Sequence, residues 1–321
     1  MHPAFSVIFF TTASGAGFGL FAWIGMMAAM DGLPNRVQAG AALVAGAIFA
    51  VAGLFSSFAH LGRPTRAWRA FSQWRSSWLS REGVLAIACL LVALCLGGLL
   101  WGADPAPMGQ SSMDATGPMR ILGGLLTLLS LATIACTAMI YASLKPIPAW
   151  RHPLVLPVYL GFALVTGYLL TFSVLGLTGA LWNGHQVATF MLAGAILLLA
   201  LKIGAWRFVD TGRVSTSRNS ALGLPHSRQV QVFERPHTEA NYLLKEMGYV
   251  LARKHAGRLR LISMLLFALV PAVIAVLLWL WPAFEPSPAW LCLAFLSAMA
   301  GALVERWLFF AEARHLVTLY Y

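Results

Sequence analysis

Long apolar runs separated by short polar segments make up nearly all of this chain. Each run has about 20 residues or more, the length that a helix needs to cross the hydrocarbon core of a bilayer. The runs lie at Ala4–Met30, Val37–His60, Gly83–Trp101, Met119–Ser143, Leu154–Gly176, Val187–Trp206, Leu259–Trp281 and Ala289–Phe310. The pattern therefore predicts an all-α integral membrane protein with eight transmembrane helices.

Composition supports this assignment and argues against a soluble protein. Of the 321 residues, 59% are hydrophobic and 10% are charged, whereas soluble domains carry about 25% charged residues. The formal net charge of +11 then indicates basic loops at an anionic membrane surface and not nucleic-acid binding. The four cysteines all lie inside apolar runs without a C-x-x-C pair, so we expect no disulfide framework, Fe–S cradle or other metal site.

Basic residues accumulate on one side of the predicted bundle. The loops between spans two and three and between spans four and five hold seven Lys and Arg, and the stretch from Arg207 to Arg260 holds ten more. The opposite side has Arg36 and Arg120. Because cytoplasmic loops are enriched in Lys and Arg, both termini and the basic loops are predicted to be cytoplasmic.

The chain divides into three predicted parts. These are 1–206 with helices one to six, 207–258 as a basic cytoplasmic connection, and 259–321 with helices seven and eight and the C-terminal tail. Within the connection, apolar residues of Glu239–Leu261 recur at helical spacing among basic ones, which predicts an amphipathic helix. Such a helix could lie on the cytoplasmic leaflet, dock a soluble partner, or do both.

A basic, polar island separates the second and third apolar runs. His60 ends one run and Glu82 opens the next, so an imidazole and a carboxylate flank the same loop at one membrane face. Helix capping is one interpretation, because a histidine suits a helix C-terminus and Ser80 with Glu82 suits an N-terminal first turn. The pairing alternatively indicates a quinone site, since both groups can relay the protons that quinone reduction consumes.

Other polar and aromatic residues are weaker candidates. Tyr141 and Trp150 flank a Pro-containing turn at the same face, as an aromatic belt or as part of the site. Glu305 and Arg306 lie within the last span and are predicted to form a structural ion pair. Candidates for docking a soluble partner are Arg63, Arg69, Arg75, Arg81, Lys245, Arg253 and Lys254.

Two further functional classes remain as alternatives. A b-type cytochrome needs two histidines at one depth. His60 and His185 fall on opposite faces, whereas His60 and His315 could meet, but nothing in the spacing requires a haem and none is expected. A secondary transporter would place ionisable residues near mid-membrane, where this sequence is nearly bare.

The chain resembles the membrane anchor subunits of the DMSO reductase type, the DmsC family, over nearly its whole length. The matching motifs are His60-Leu61-Gly62 with Pro64, Arg66 and Ala67, then Ser80 and Glu82, a block of Tyr141, Ser143, Pro148 and Trp150, and Arg306 with Phe309 and Phe310.

The resemblance implies a role in an electron-transfer complex of the bacterial cytoplasmic (inner) membrane. Such anchors hold a molybdopterin catalytic subunit and a four-cluster Fe–S subunit, and they exchange electrons between the nearest cluster and ubiquinone or menaquinone, usually without haem. His60 and Glu82 match the family's quinone-site histidine and glutamate. Arg66 would position the headgroup or dock the Fe–S subunit.

The sequence departs from the DMSO-reducing members in two features. Their equivalent of the polar island faces outward, whereas the charge count here places it inside, and the sixth-to-seventh connection is longer and more basic. Both features resemble the cytoplasm-facing sulfite dehydrogenase branch. We therefore expect electrons to flow from the catalytic subunits into quinone, with a quinol-oxidising anchor of a DMSO reductase-like complex as the alternative.

Overall fold

The fold was taken from a computed structural model, which describes 4–103, 113–180, 183–211, 217–225, 230–231, 233–234, 251–280 and 287–316. The side chains of His60 and of 251–253 are outside this description. Within these ranges eight helices are long and apolar enough to cross a membrane. The prediction of an all-α fold with eight spans is confirmed.

The eight helices are labelled in chain order. They are α1 Phe5–Ala29, α2 Arg36–Ser56, α3 Trp78–Gly102, α4 Gly117–Ala142, α5 Val155–Leu177, α6 Gly184–Thr211, α7 in three consecutive segments (Leu251–Met264, the π-helical turn Leu265–Leu269 and Val270–Leu280), and α8 Pro288–Ala311. Side-chain caps mark several starts. The Asn35 side chain accepts from the N–H groups of Val37 and Gln38 at α2, and Ser287 caps α8.

The seventh helix differs from its prediction. It is already helical at Leu251, well before the predicted start at Leu259. The basic end of the predicted amphipathic segment is therefore continuous with the span itself. Lys254 is exposed there. Lys245 and the side chain of Arg253 lie outside the described residues.

Helix α1 is the centre of the bundle and packs on α2, α4 and α5. Small residues permit the contact with α5, because a Cβ added at Gly19 would lie 1.9 Å from the Ala163 carbonyl oxygen. The contact with α4 is similar, since a Cβ at Gly123 would lie 2.5 Å from the Gly25 carbonyl oxygen. Close backbone approach through small residues is the usual way in which membrane helices associate.

Successive helices run in alternating directions. Thr11 near the start of α1 and Arg306 near the end of α8 line the same cavity, so the chain enters and leaves the bundle at one side. We call this side the N-terminal face. The loops α2–α3 and α4–α5 lie at this face, and the α1–α2 and α3–α4 loops lie at the opposite face.

Candidate functional site

The polar island forms a structured loop at the N-terminal face. It begins with the 3-10 turn Ser57–His60, continues with the 3-10 segment Pro64–Gln73, and ends at α3. The Arg81 guanidinium holds the loop against α3, because it donates to the carbonyls of Trp74 at 3.0 Å and Arg75 at 2.6 Å. One of the predicted docking residues, Arg81, thus binds the loop itself.

The other arginines of the island are exposed at this face, together with aromatic rings. Arg69 lies beside Trp68 and Arg75 beside Trp74, with guanidinium-to-ring distances of 5.6 and 5.4 Å. Basic and aromatic side chains in this mixture suit a membrane surface or a protein interface. The exposed arginines are Arg63, Arg66, Arg69 and Arg75.

Helix α3 starts earlier than predicted, and this changes the position of Ser80 and Glu82. The N-cap is Ser77, whose hydroxyl accepts from the Ser80 N–H at 3.5 Å. Ser80 is therefore inside the first turn, and capping does not account for it. Its hydroxyl is buried and has no hydrogen-bond partner among the described residues.

The Glu82 carboxyl is buried inside the bundle. Its side chain is 2% exposed and accepts a hydrogen bond from the Thr137 hydroxyl of α4. It makes no ion pair with any described residue. A buried carboxyl without a cationic partner is costly in a membrane, so helix capping does not explain it either.

His60 ends the 3-10 turn at the same face at which Glu82 opens α3. Its backbone position agrees with the predicted arrangement of two ionisable residues around one loop. Its side chain lies outside the described residues, and its role stays a prediction.

Tyr141 and Trp150 lie in an aromatic cluster that joins the α4–α5 loop to the end of α8. The Tyr141 ring contacts Trp150 at 5.5 Å and Tyr159 at 5.9 Å between centroids. The Trp150 indole donates to the Phe309 carbonyl at 2.9 Å. Both predicted residues are buried, so they can shape the site from the inside but do not form an interfacial belt.

Glu305 and Arg306 belong to a buried ion cluster with a third member. The Arg306 Nε lies 3.7 Å from one Glu305 oxygen, but the Lys202 Nζ of α6 lies 2.5 Å from the other. Sequence reasoning did not single out Lys202. The available signal was a lone lysine within the otherwise apolar sixth run, where an ionisable residue indicates function by default.

A small cavity lies between the hydrogen-bond partner of Glu82 and this cluster. The centre of a water molecule can occupy about 20 Å³ of this cavity. That space is enough for one water molecule. Thr137, the partner of Glu82, lies on its wall together with Arg306. The remaining polar lining residues are Thr11, Thr12, Ser14, Tyr159 and Thr166.

Comparison with known proteins decides the family. Residues 1–311 match the family model described as DMSO reductase anchor subunit (DmsC). The chain belongs to this family of membrane anchor subunits. It is also 33% identical over 332 aligned residues to the C subunit of sulfite dehydrogenase from Allochromatium vinosum, with 100% of this chain and 99% of the relative covered. The predicted resemblance is confirmed.

Membership in the DmsC family assigns a coarse role. The protein is a multi-pass membrane anchor subunit of a DMSO reductase-type complex, and membership implies a catalytic and an Fe–S partner subunit. The residues present fit a quinone, because the buried Ser80 hydroxyl and the buried Glu82 carboxyl adjoin one loop. In the described part of the chain no three His, Cys, Asp or Glu come together as metal ligands, and the expectation that haem is absent stays a prediction.

Proposed function

We propose that this anchor passes electrons from its Fe–S partner to a membrane quinone bound at the polar island, in a complex that oxidises sulfite. The observation that carries the quinone site is Glu82, which is buried without an ion-pair partner among the described residues, at the membrane face where a soluble partner would dock. Ionisable groups in such environments concentrate at functional sites. Bound quinone supplies an acceptor for two electrons and two protons.

Each residue of the island has a distinct task in this proposal. His60 and the Ser80 hydroxyl donate hydrogen bonds to the carbonyl oxygens of the headgroup. Glu82 hands a proton to the site and is reprotonated from inside the bundle. Arg66 positions the headgroup or docks the Fe–S subunit, and the aromatic cluster around Tyr141 and Trp150 excludes water from the inner side of the site.

Charge and similarity support the proposed direction of electron flow and the proposed substrate. The positive-inside rule favours a cytoplasmic N-terminal face, and the relative with full-length coverage is named as a subunit of sulfite dehydrogenase. We infer that a molybdopterin subunit and a four-cluster Fe–S subunit dock on this face, in a bacterial inner membrane. The docking surface comprises the exposed arginines of the island and Lys254, with Lys245 and Arg253 as predicted additions.

A quinol-oxidising anchor is the second candidate. The description of the family model names the anchor subunit of DMSO reductase. An anchor of that kind would oxidise quinol at the same site and pass the electrons to its Fe–S partner. A Glu82 that exchanges protons serves either direction. Assays with sulfite and quinone, and with quinol and DMSO, distinguish the two, because the favoured direction gives turnover with one pair and not with the other.

Substitution of Glu82 tests the quinone site. Glu82→Gln keeps size and hydrogen bonding but removes the exchangeable carboxyl proton. We expect quinone-linked turnover of the assembled complex to fall by about 100-fold, the low end of the contribution of a positioned proton-transfer group. Assembly and dye-linked activity of the partner subunits should persist.

The matched control is Glu234→Gln, which alters an exposed glutamate of the long connection and should leave quinone-linked turnover unchanged. Wild-type quinone turnover in Glu82→Gln would show that the island is not the quinone site.

A further inference from the structure

Polar side chains continue from Glu82 through the bundle to solvent at the N-terminal face. We propose that this polar chain is the route by which protons reach Glu82 for quinone reduction. The inference rests on the proposed function and extends it to residues outside the island. The members, from solvent inward, are Asp210, Arg260, Glu312, Lys202, Glu305, Arg306, Thr137 and Glu82.

The outer end of the polar chain is open to water. Asp210 has a side chain that is 57% exposed, and it receives two hydrogen bonds from the Arg260 guanidinium, at 2.7 and 2.9 Å. The Arg260 Nε donates to Glu312 at 3.0 Å. Arg260 thus holds two carboxylates in line, one in solvent and one nearly buried at the end of α8.

A second cavity follows Glu312. The centre of a water molecule can occupy about 40 Å³ of this cavity. Glu312, Lys202 and His152 lie on its wall, so a water molecule there has polar partners on several sides. Burial raises the pKa of the Glu312 carboxyl above its ordinary value. Burial also lowers the pKa of His152 below its ordinary value.

The ion cluster separates the two cavities. Lys202 and Glu305 are in direct contact at 2.5 Å, both with less than a twentieth of their side-chain surface exposed. Two groups on the inner side have no hydrogen-bond partner among the described residues: Glu305 Oε2, and Arg306 Nε and Nη1. Buried polar atoms normally have hydrogen-bond partners, either in the protein or in ordered water. Water in the adjoining cavity would complete their bonding.

Arg306 and Tyr159 position water and do not carry protons themselves. The Arg306 guanidinium lies 3.7 Å from the Tyr159 ring centroid, which fixes its plane beside the first cavity. Arginine stays protonated at any accessible pH. Its fixed charge orients water between Glu305 and Thr137, and the exchanging groups are Glu312, the Lys202–Glu305 pair, cavity water and Glu82.

Thr137 forms the last link. Its hydroxyl oxygen contacts Glu82 and lies 3.1 Å from the Thr133 carbonyl of its own helix. One hydroxyl proton serves only one of these acceptors at a time. When Glu82 is protonated, it donates to Thr137, which donates to Thr133, and both bonds form. When Glu82 is ionised, Thr137 turns its proton to the carboxylate.

Proton transfer along the polar chain leaves every residue unchanged after a turnover. Two electrons from the Fe–S partner and two protons convert quinone to quinol. Each proton that Glu82 gives to the quinone site is replaced through Thr137, cavity water and the Lys202–Glu305 pair, and ultimately from solvent at Glu312, which Arg260 holds beside the exposed Asp210. No bond between heavy atoms forms or breaks in the polar chain.

The test measures quinone reduction by the assembled complex, with reduced viologen as electron source, in H₂O and in D₂O. Lys202→Met is the first variant, because Arg306 remains beside Glu305 as its counter-charge. We expect turnover to fall by about 100-fold and the ratio of the H₂O to the D₂O rate to rise, since proton delivery becomes rate-limiting. A general loss of structure lowers both rates alike.

Thr137→Val and Thr137→Ser test the inner link without touching the ion cluster. The valine lacks the hydroxyl and should lower turnover with the same rise in isotope ratio, whereas the serine should restore both. Matched controls are Lys145→Met, an exposed lysine at the same face, and Thr171→Val, whose buried hydroxyl donates within α5. Both controls should behave as wild type.

The variants distinguish a failure of this inference from a failure of the proposed function. If Glu82→Gln stops quinone reduction while Lys202→Met and Thr137→Val keep the wild-type rate and isotope ratio, the polar chain is not the route and the quinone site stands. If Glu82→Gln itself reduces quinone normally, the proposed function is wrong. Should Lys202→Met fail to assemble, the Thr137 pair decides the inference alone.

Discussion

The two faces of the bundle each carry an ion pair between helices or their loops, and the pairs differ in burial. At the face opposite the termini, Arg120 and Asp31 meet at 2.8 Å with side chains 51% and 44% exposed. Towards the N-terminal face, Lys202 and Glu305 meet at 2.5 Å with 4% and 0% exposed. Water screens the charges of the first pair. The second pair is shielded from water, so only neighbouring protein groups compensate the cost of burying its charges.

This difference shows where the molecule places its polar groups. The opposite half of α1 is joined to α4 by backbone approach at Gly25 and Gly123, a contact of small apolar residues. The half near the N-terminal face contains the two cavities, the ion cluster and Glu82. Close packing of small residues occurs in both halves, but only the half near the N-terminal face also retains buried charges, at a cost that the proposed function explains.

Loss of Glu305 should have the largest effect on stability. Glu305→Ala leaves Lys202 and Arg306 without a buried counter-charge, and breaking a buried pair in this way costs about 3–5 kcal/mol. Denaturant unfolding of the purified complex in detergent measures the change. The double variant Lys202→Met, Glu305→Ala removes one uncompensated cation and should recover part of the loss. A cost within the range of a surface pair would contradict the comparison.

Overpacking at the opposite half should have the next largest effect. A valine at Gly123 introduces a Cβ 2.5 Å from the Gly25 carbonyl oxygen, so α1 and α4 must separate, at about 1–3 kcal/mol. The same unfolding assay measures this. Gly124→Val is the control, because a Cβ there meets no atom within 4 Å, and it should unfold like wild type. Equal effects of the two variants would argue against close helix contact.

Trp150→Phe should have a smaller effect near the N-terminal face. Phenylalanine keeps most of the aromatic packing but loses the indole bond to the Phe309 carbonyl, which is worth about 0.5–1.5 kcal/mol. Thermal unfolding of the complex measures the loss, with Trp101→Phe, an exposed tryptophan, as control. Identical melting of the two variants would mean that the bond does not hold the α4–α5 loop.

Arg120→Gln should have the smallest effect. The pair with Asp31 is about half exposed, and such pairs contribute about 0–1 kcal/mol. We expect no change in quinone-linked turnover and a stability change that vanishes at high salt. A loss as large as that of Glu305→Ala would remove the distinction between the two faces.

Much of the architecture was predictable from local sequence. The apolar runs predicted all eight helices, and the motifs of the polar island predicted the family. Boundaries were less certain: α3 begins before Glu82 because Ser77 caps it, and α7 is helical before Leu259. The sequence also singled out Glu305 and Arg306, but the nearest partner of Glu305 comes from a span about a hundred positions earlier in the chain.

Local composition alone determined the number of spans and placed both chain ends on one side, because the bilayer thickness sets the length of every apolar run. Tertiary structure decided which polar residues meet. Lys202, Thr137 and Glu82 lie on different helices, and their convergence depends on how each helix is rotated and paired by close packing of small residues. No local pattern encodes that rotation, so the polar chain became visible only in the folded bundle.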